Sequence, residues 1–126
     1  MKIVLSKVLQ FPIFFDEVFN KKLPVRTLYK IFSAKKRTEE ITLFYQEHLQ
    51  KIVFESALLD DNGAPKENGE GGILIDPTLL EECLDRIKQL SELLVDFPEM
   101  YFDLSELEGI EMTLEALEAI SPLIIK

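Results

Sequence analysis

The sequence predicts a mainly α fold, with α+β as the alternative: a long antiparallel helical hairpin, a β-hairpin or turn at its tip, and short capped helices at the C-terminus. Three observations predict it. From Arg26 to Leu59, apolar positions recur by three and four at Leu28, Ile31, Phe32, Ile41, Phe44, Tyr45, Leu49, Ile52, Val53 and Leu59, with Ser56 in step. From Pro77 to Val95 the same spacing returns at Leu79, Leu80, Cys83, Leu84, Ile87, Leu90, Leu94 and Val95. Between the two runs, Asp60–Gly72 is polar and carries two turn signals, Asn62-Gly63 and Asn68-Gly69. The hairpin then occupies about residues 25–97 of a single domain 1–126, with an acidic capped-helix segment over 99–126. A helix of about thirty residues spans roughly 45 Å, so the hairpin is expected to dominate the shape.

Composition is consistent with a domain that builds its own core. With 126 residues, 47% of them hydrophobic and nine of them Phe, the chain has enough apolar surface to offset chain entropy. One cysteine cannot close an internal disulfide, and nothing points to an oxidising compartment. No apolar run is long enough to span a bilayer. Met1–Phe19 is apolar but holds Asp16 and Glu17 and lacks a small-residue cleavage site, so it does not read as a secretory signal, and a cytoplasmic protein is expected.

Charge is divided along the chain. Residues 1–54 hold ten Lys/Arg against five Asp/Glu, a balance of +5, and residues 55–126 hold four against eighteen, a balance of −14. The plain reading is attraction between the two halves of one monomer; the sharper one is an interaction surface. A total of −9 disfavours direct binding to nucleic acid.

Taken in order, Lys2–Leu5 alternates weakly, as a short strand would. A helix follows, capped by Ser6 or starting near Phe11 with Pro12 in its first turn, and Phe11, Phe14, Phe15 and Phe19 fall on one face as core. Asn20–Pro24 breaks the pattern. The long helix has a polar middle, Ser33–Glu40, with the cations Lys35, Lys36 and Arg37 in a row and Arg26 and Lys30 a turn or more earlier. This is either a solvated face, or a break between two shorter helices, or a contact for phosphate or an acidic partner. His48 is the only histidine and has no second ligand or nucleophile in sight.

The loop fails as a calcium site. Asp60 and Asn62 suit positions one and three, but position five is Ala64, position six is Pro65 rather than Gly, and position twelve is Gly71 rather than Glu. Its glycines do not form a phosphate loop either. Ile73–Ile75 reads as one arm of a hairpin. The return helix starts with Asp76 as cap and Pro77 as first residue, Glu82 and Arg86 stand four apart as an ion pair, Cys83 faces the core, and Pro98 stops the run.

Two segments of the tail match ten residues apart, Asp103–Ile110 and Thr113–Ile120. Each opens on a capping residue, and Asp103 with Glu106 has the spacing of a capping box. Two short helices follow, after a strand at Met100–Phe102. Their inward faces are Leu104, Leu107, Ile110, Leu114, Leu117 and Ile120; their outward faces are acidic, with Glu106, Glu108, Glu111, Glu115 and Glu118 and no cation before Lys126. That acid run is either a solubilising surface, or one that imitates nucleic-acid phosphate or docks on a basic partner. None of these carboxylates is expected to be buried, so general acid–base work is not expected of them.

The order of elements carries a family resemblance. Val25-Arg-Thr-Leu-Tyr-Lys-Ile31 opens a long charged helix, Leu59-Asp-Asp-Asn-Gly-Ala-Pro65 forms a turn, and the tail runs Phe102-Asp-Leu-Ser-Glu-Leu-Glu-Gly-Ile110 and Ala116-Leu-Glu-Ala-Ile-Ser-Pro-Leu-Ile124. This layout resembles small acidic uncharacterised proteins of phages and prophages of Gram-positive bacteria. The resemblance implies a phage-encoded protein of the host cytoplasm or the virion, and it brings no active site with it. The expected function is a non-enzymatic interaction protein, an assembly or virion accessory factor working through helical faces on another phage or host protein, with self-association as a further expectation. The alternative is a phage-encoded inhibitor of a host nucleic-acid-binding machine, a defence nuclease or polymerase, acting through the acidic tail. No catalytic, cofactor or metal set emerges. The candidate contacts are Glu106, Glu108, Glu111, Glu115, Glu118, Arg26, Lys30, Lys35, Lys36 and Arg37.

Overall fold

Proline and phenylalanine organise the start of the chain. In the computed structural model, which describes residues 1–125, strand β1 (Lys2–Val4) runs into a single helical turn α1 (Leu5–Val8) and then helix α2 (Phe11–Val18), with Pro12 in its first turn where a missing N–H costs nothing. The start near Phe11 is the one the main helix uses; Ser6 caps nothing, because it lies inside the single turn α1, whose N-cap is Val4. Phe11, Phe14 and Phe15 are buried as expected, but Phe19, just past the helix end, is exposed. Lys126, the cation that closes the acidic run, lies outside the described residues. Two compact units result, one from Met1–Thr42 with the segment from Leu93 onward, the other from Leu43–Glu92.

In the first unit β1 pairs antiparallel with β2 (Leu94–Asp96), Ile3 opposite Val95. This pairing corrects the expected return helix, which stops at Ser91 rather than running to Val95, because Leu94–Asp96 satisfies its backbone on β1 instead. The core is aromatic: Phe11 meets Phe97 edge-on at 5.5 Å, and Phe14 meets Phe102 at 5.7 Å, around Leu5, Val8, Ile120 and Leu123. Phe102 sits in a bridge to Ile124, donating to Leu123 O and accepting from Ile125 N, so the tail closes on itself.

The two capped tail helices are α5 (Leu104–Leu107) and α6 (Leu114–Ile120). Asp103 accepts from Ser105 N and Thr113 from Ala116 N, as caps should. The reciprocal half of the capping box is absent, because the Glu106 side chain turns to Lys30. Their inward faces also need correction: Leu107 and Ile120 are buried with Ala116, whereas Leu104 and Leu114 are exposed. Helix α6 packs on α2, where the Glu17 carboxylate accepts from both the backbone N and the hydroxyl of Thr113 at 2.7 and 2.5 Å. The hydroxyl bond first, then the backbone bond, holds the Glu17 carboxyl below its ordinary range.

Helix α3 (Val25–Glu55) is continuous for 31 residues, with no break at Ser33–Glu40. Its last turns belong to the second unit, where Ile52 joins Cys83 and Leu90 of α4 (Leu80–Ser91) in a core flanked by Tyr45, Leu49, Ile75 and Ile87. Cys83 is buried there as expected. Asp76 does not cap α4 directly; it accepts from Thr78 N and Oγ1 in the turn ahead of it. Arg86 pairs with Glu55 at 2.8 Å rather than with Glu82.

The turn between α3 and α4 is more built than a two-armed hairpin. Leu58 N donates to Leu74 O, Leu74 N to Lys66 O and Lys66 N to Leu58 O, at 2.8, 2.9 and 2.8 Å. Three extended segments thus close a ring, and antiparallel bridges join Leu59 to Pro65, Glu67 to Ile73 and Ala57 to Ile75. The repeat is eight residues. Asp60 accepts from Asn62 N and Ala64 N, Asn68 repeats this with Glu70 N and Gly72 N, and Asp76 begins it again with Thr78 N. Gly63 and Gly71, also eight apart, supply the positive φ that each loop requires.

Candidate interaction surface

The N-terminal half of α3 is amphipathic in an unusual sense. Stepping by three and four along the helix, Thr27, Ala34, Thr38 and Ile41 are buried and Ile31 is half-buried. Three of those buried residues are small, which lets the helix backbone approach its neighbours closely. Thr38 satisfies its hydroxyl on Ala34 O at 2.7 Å, so its burial leaves nothing unpaired. The opposite side carries the bulk. Val25, Leu28, Tyr29 and Phe32 follow helical spacing and are exposed, at 81, 44, 71 and 64%. Phe19, 70% exposed, joins the same region through Lys35, whose Nζ stands 5.0 Å from its ring centroid. Leu28 and Phe32, expected inside, are therefore surface residues.

The candidate cations divide into two sets. Lys30 is committed inward: its Nζ bonds Glu106 Oε1 at 2.5 Å and Tyr101 O at 3.0 Å, and lies 6.0 Å from the Phe102 ring centroid. Arg37 donates to Asp96 O at 2.9 Å and pairs with Glu40 at 3.0 Å. Arg26 and Lys36 are exposed beside the apolar stripe, and Lys35 is half-buried over Phe19. The aromatic interleaving missing from the linear cluster is thus present in three dimensions.

The candidate acids divide in the same way. Glu106 is half-buried on Lys30, and its Oε2 is buried without a hydrogen-bond partner. Glu108, Glu111, Glu115 and Glu118 are exposed, and none takes part in an ion pair among the described residues. Glu108 lines a groove of about 470 Å³ with Leu104, Leu107, Ile110, Met112 and Leu117. A neighbouring cavity of about 410 Å³ is lined by Lys22 and Arg26 together with Glu108 and Ile110. A smaller one, of about 200 Å³, brings Glu115 and Glu118 next to Gln10 and Ile13.

Attraction between the basic and acidic halves of the sequence is thereby partly spent inside the first unit. Lys30–Glu106 is half-buried, while Lys2–Asp96 at 2.7 Å is a surface contact across the β1–β2 pair. The Lys2 hydrogen bond, ahead of its charge, depresses the Asp96 carboxyl. His48 is exposed against the Phe44 ring, and its Nδ1 lies 2.9 Å from Phe44 O. The surface residues that linear reasoning missed are Phe19, Val25 and Tyr29. Their signal was present in the spacing of Val25, Leu28, Tyr29 and Phe32, set against the small residues Thr27, Ala34 and Thr38.

Among the described residues no helix is long and apolar enough to cross a membrane. No family model matches the chain, and no curated protein and no solved structure matches it either.

Proposed function

We propose that this is a non-enzymatic interaction protein, an assembly or virion accessory factor, that engages a partner protein through the outward face of α3. The observation that carries the reading is the stripe of Val25, Leu28, Tyr29 and Phe32 with Phe19 beside it, all exposed. A cluster of this kind leaves large apolar area in water, and burying it against a partner contributes about 25 cal/mol for each Å² removed from solvent. Tyr and Phe framed by cations are also the residue types that concentrate binding energy at interface centres. The test is a photo-crosslinking amino acid at Phe32 in the cells that produce the protein. One predominant adduct from position 32, and none from the exposed Gln50, is the expected outcome. Equal labelling from both positions would sink the reading.

A second reading rests on a different observation. Glu108, Glu111, Glu115 and Glu118 are exposed and enter no ion pair among the described residues, as a surface that inhibits a host nuclease or polymerase by charge would require. Glu106 leaves this set, because it serves Lys30. Charge reversal at the other four would abolish inhibition of such an enzyme, and inhibition that survives the reversal rules the reading out.

A further inference from the structure

The stripe and the acidic groove lie in the same unit, and they are complementary. One is apolar with exposed cations at Arg26 and Lys36; the other is apolar with Glu108 in its lining and the exposed Glu111 between its lining residues Ile110 and Met112. Exposed apolar side chains mark both: Tyr29 and Phe32 on the stripe, Leu104 in the groove. Their flanks meet at the cavity of about 410 Å³, whose lining includes Lys22 and Arg26 together with Glu108 and Ile110.

Adjacent complementary surfaces have a simple closed solution. A two-fold axis through that cavity would lay the stripe of each copy on the groove of the other, so that every favourable contact occurs twice. We infer that the occupant of the stripe is a second copy of this chain, seated by its Leu104–Leu117 surface in a two-fold dimer. The inference rests on the reading of the α3 face as a docking surface and names what docks there. The net charge of −9 sharpens it. Two copies repel each other at long range, so association requires the cationic border of one to meet the anionic border of the other. An isologous stripe-on-stripe pairing would instead oppose Arg26 and Lys36 to their own copies.

The experiment uses two charge-reversed full-length chains, R26E/K36E and E108K/E111K, with sedimentation equilibrium as the readout. The wild type is expected to be a dimer that weakens as salt rises. Each variant alone is expected to dimerise at least about tenfold more weakly, since it sets like charges against each other. Mixed together, the two are expected to form a heterodimer of wild-type strength, because each reversed border then meets its opposite. That restoration also shows that both variants fold. A wild type that stays monomeric at high concentration overturns the dimer, as do variants that dimerise normally, or variants whose mixture restores nothing. A monomer whose position 32 still yields one adduct with a different protein overturns the second copy alone and leaves the docking face standing. A monomer that yields no specific adduct ends both.

Discussion

The two halves of α3 belong to one helix and obey opposite rules. Toward the C-terminal end, Tyr45, Leu49 and Ile52 pack with Cys83, Ile87 and Leu90, so one face of large apolar residues is inside, as amphipathic periodicity implies, while Leu43, Phe44 and Phe54 stay exposed. Toward the N-terminal end, Thr27, Ala34 and Thr38 are inside and Leu28, Tyr29 and Phe32 are outside. The lesson concerns what periodicity reports. A three-four spacing of apolar residues establishes that a helix has a face; it does not say which side of the helix meets the rest of the protein. In the first half, close approach is served by small side chains, and the bulky face is left in solvent.

The largest expected effect tests the conventional half. Ile52→Ala removes a buried side chain from the second unit's core and should cost about 2–5 kcal/mol in urea unfolding. A loss under about 1 kcal/mol would mean that this half is not packed as described.

Next comes the small side of the other half. Ala34 is fully buried, and Ala34→Leu should destabilise by about 1–3 kcal/mol through overpacking, well beyond the small difference in helix propensity between Ala and Leu. A neutral or stabilising result would place that face in open space and erase the distinction between the halves.

A smaller effect attaches to the ion pair that ties α3 to the tail. Glu106→Gln leaves Lys30 with Tyr101 O but no counter-charge, and should cost about 1–2 kcal/mol, between the values for surface and buried pairs. Lys30→Met combined with Glu106→Gln should recover part of the loss, because no unpaired charge remains. Additive losses would show that the two side chains act independently.

The smallest effect is the most diagnostic. Phe32→Ser deletes a large aromatic side chain, yet should shift monomer stability by no more than about 0.5 kcal/mol, because that side chain is already in water. The same variant should lose the crosslinked or dimeric species. A loss of several kcal/mol from the isolated monomer would return Phe32 to the core and remove the basis of the proposed surface.

Much of the architecture was legible before any coordinates. The long helix, the polar turn after it, the caps at Asp103 and Thr113, the strand at Lys2 and the buried Cys83 all rest on local chemistry: spacing, capping oxygens, Pro in a first turn. The ring of three segments was legible in principle, since Asp60, Asn68 and Asp76 stand eight apart, as do Gly63 and Gly71. Matching by turn type alone hides that period. The end of α4 was not legible, because Leu94 and Val95 continue the helical spacing and only the presence of β1 draws them into a strand.

For the candidate surface the division is sharper. The amino-acid sequence by itself determined which residues are cationic, anionic or bulky, and that they recur at helical intervals, since these are properties of side chains and of a 3.6-residue turn. Only the tertiary structure decided their use. It drew Lys30 and Glu106, 76 positions apart, into a half-buried pair and left Arg26, Lys36 and Glu108 exposed. It also turned Thr27, Ala34 and Thr38 inward, so that Tyr29 and Phe32 came to face solvent. Local chemistry cannot choose between two faces of a helix, because that choice depends on what else packs there and how closely it can approach.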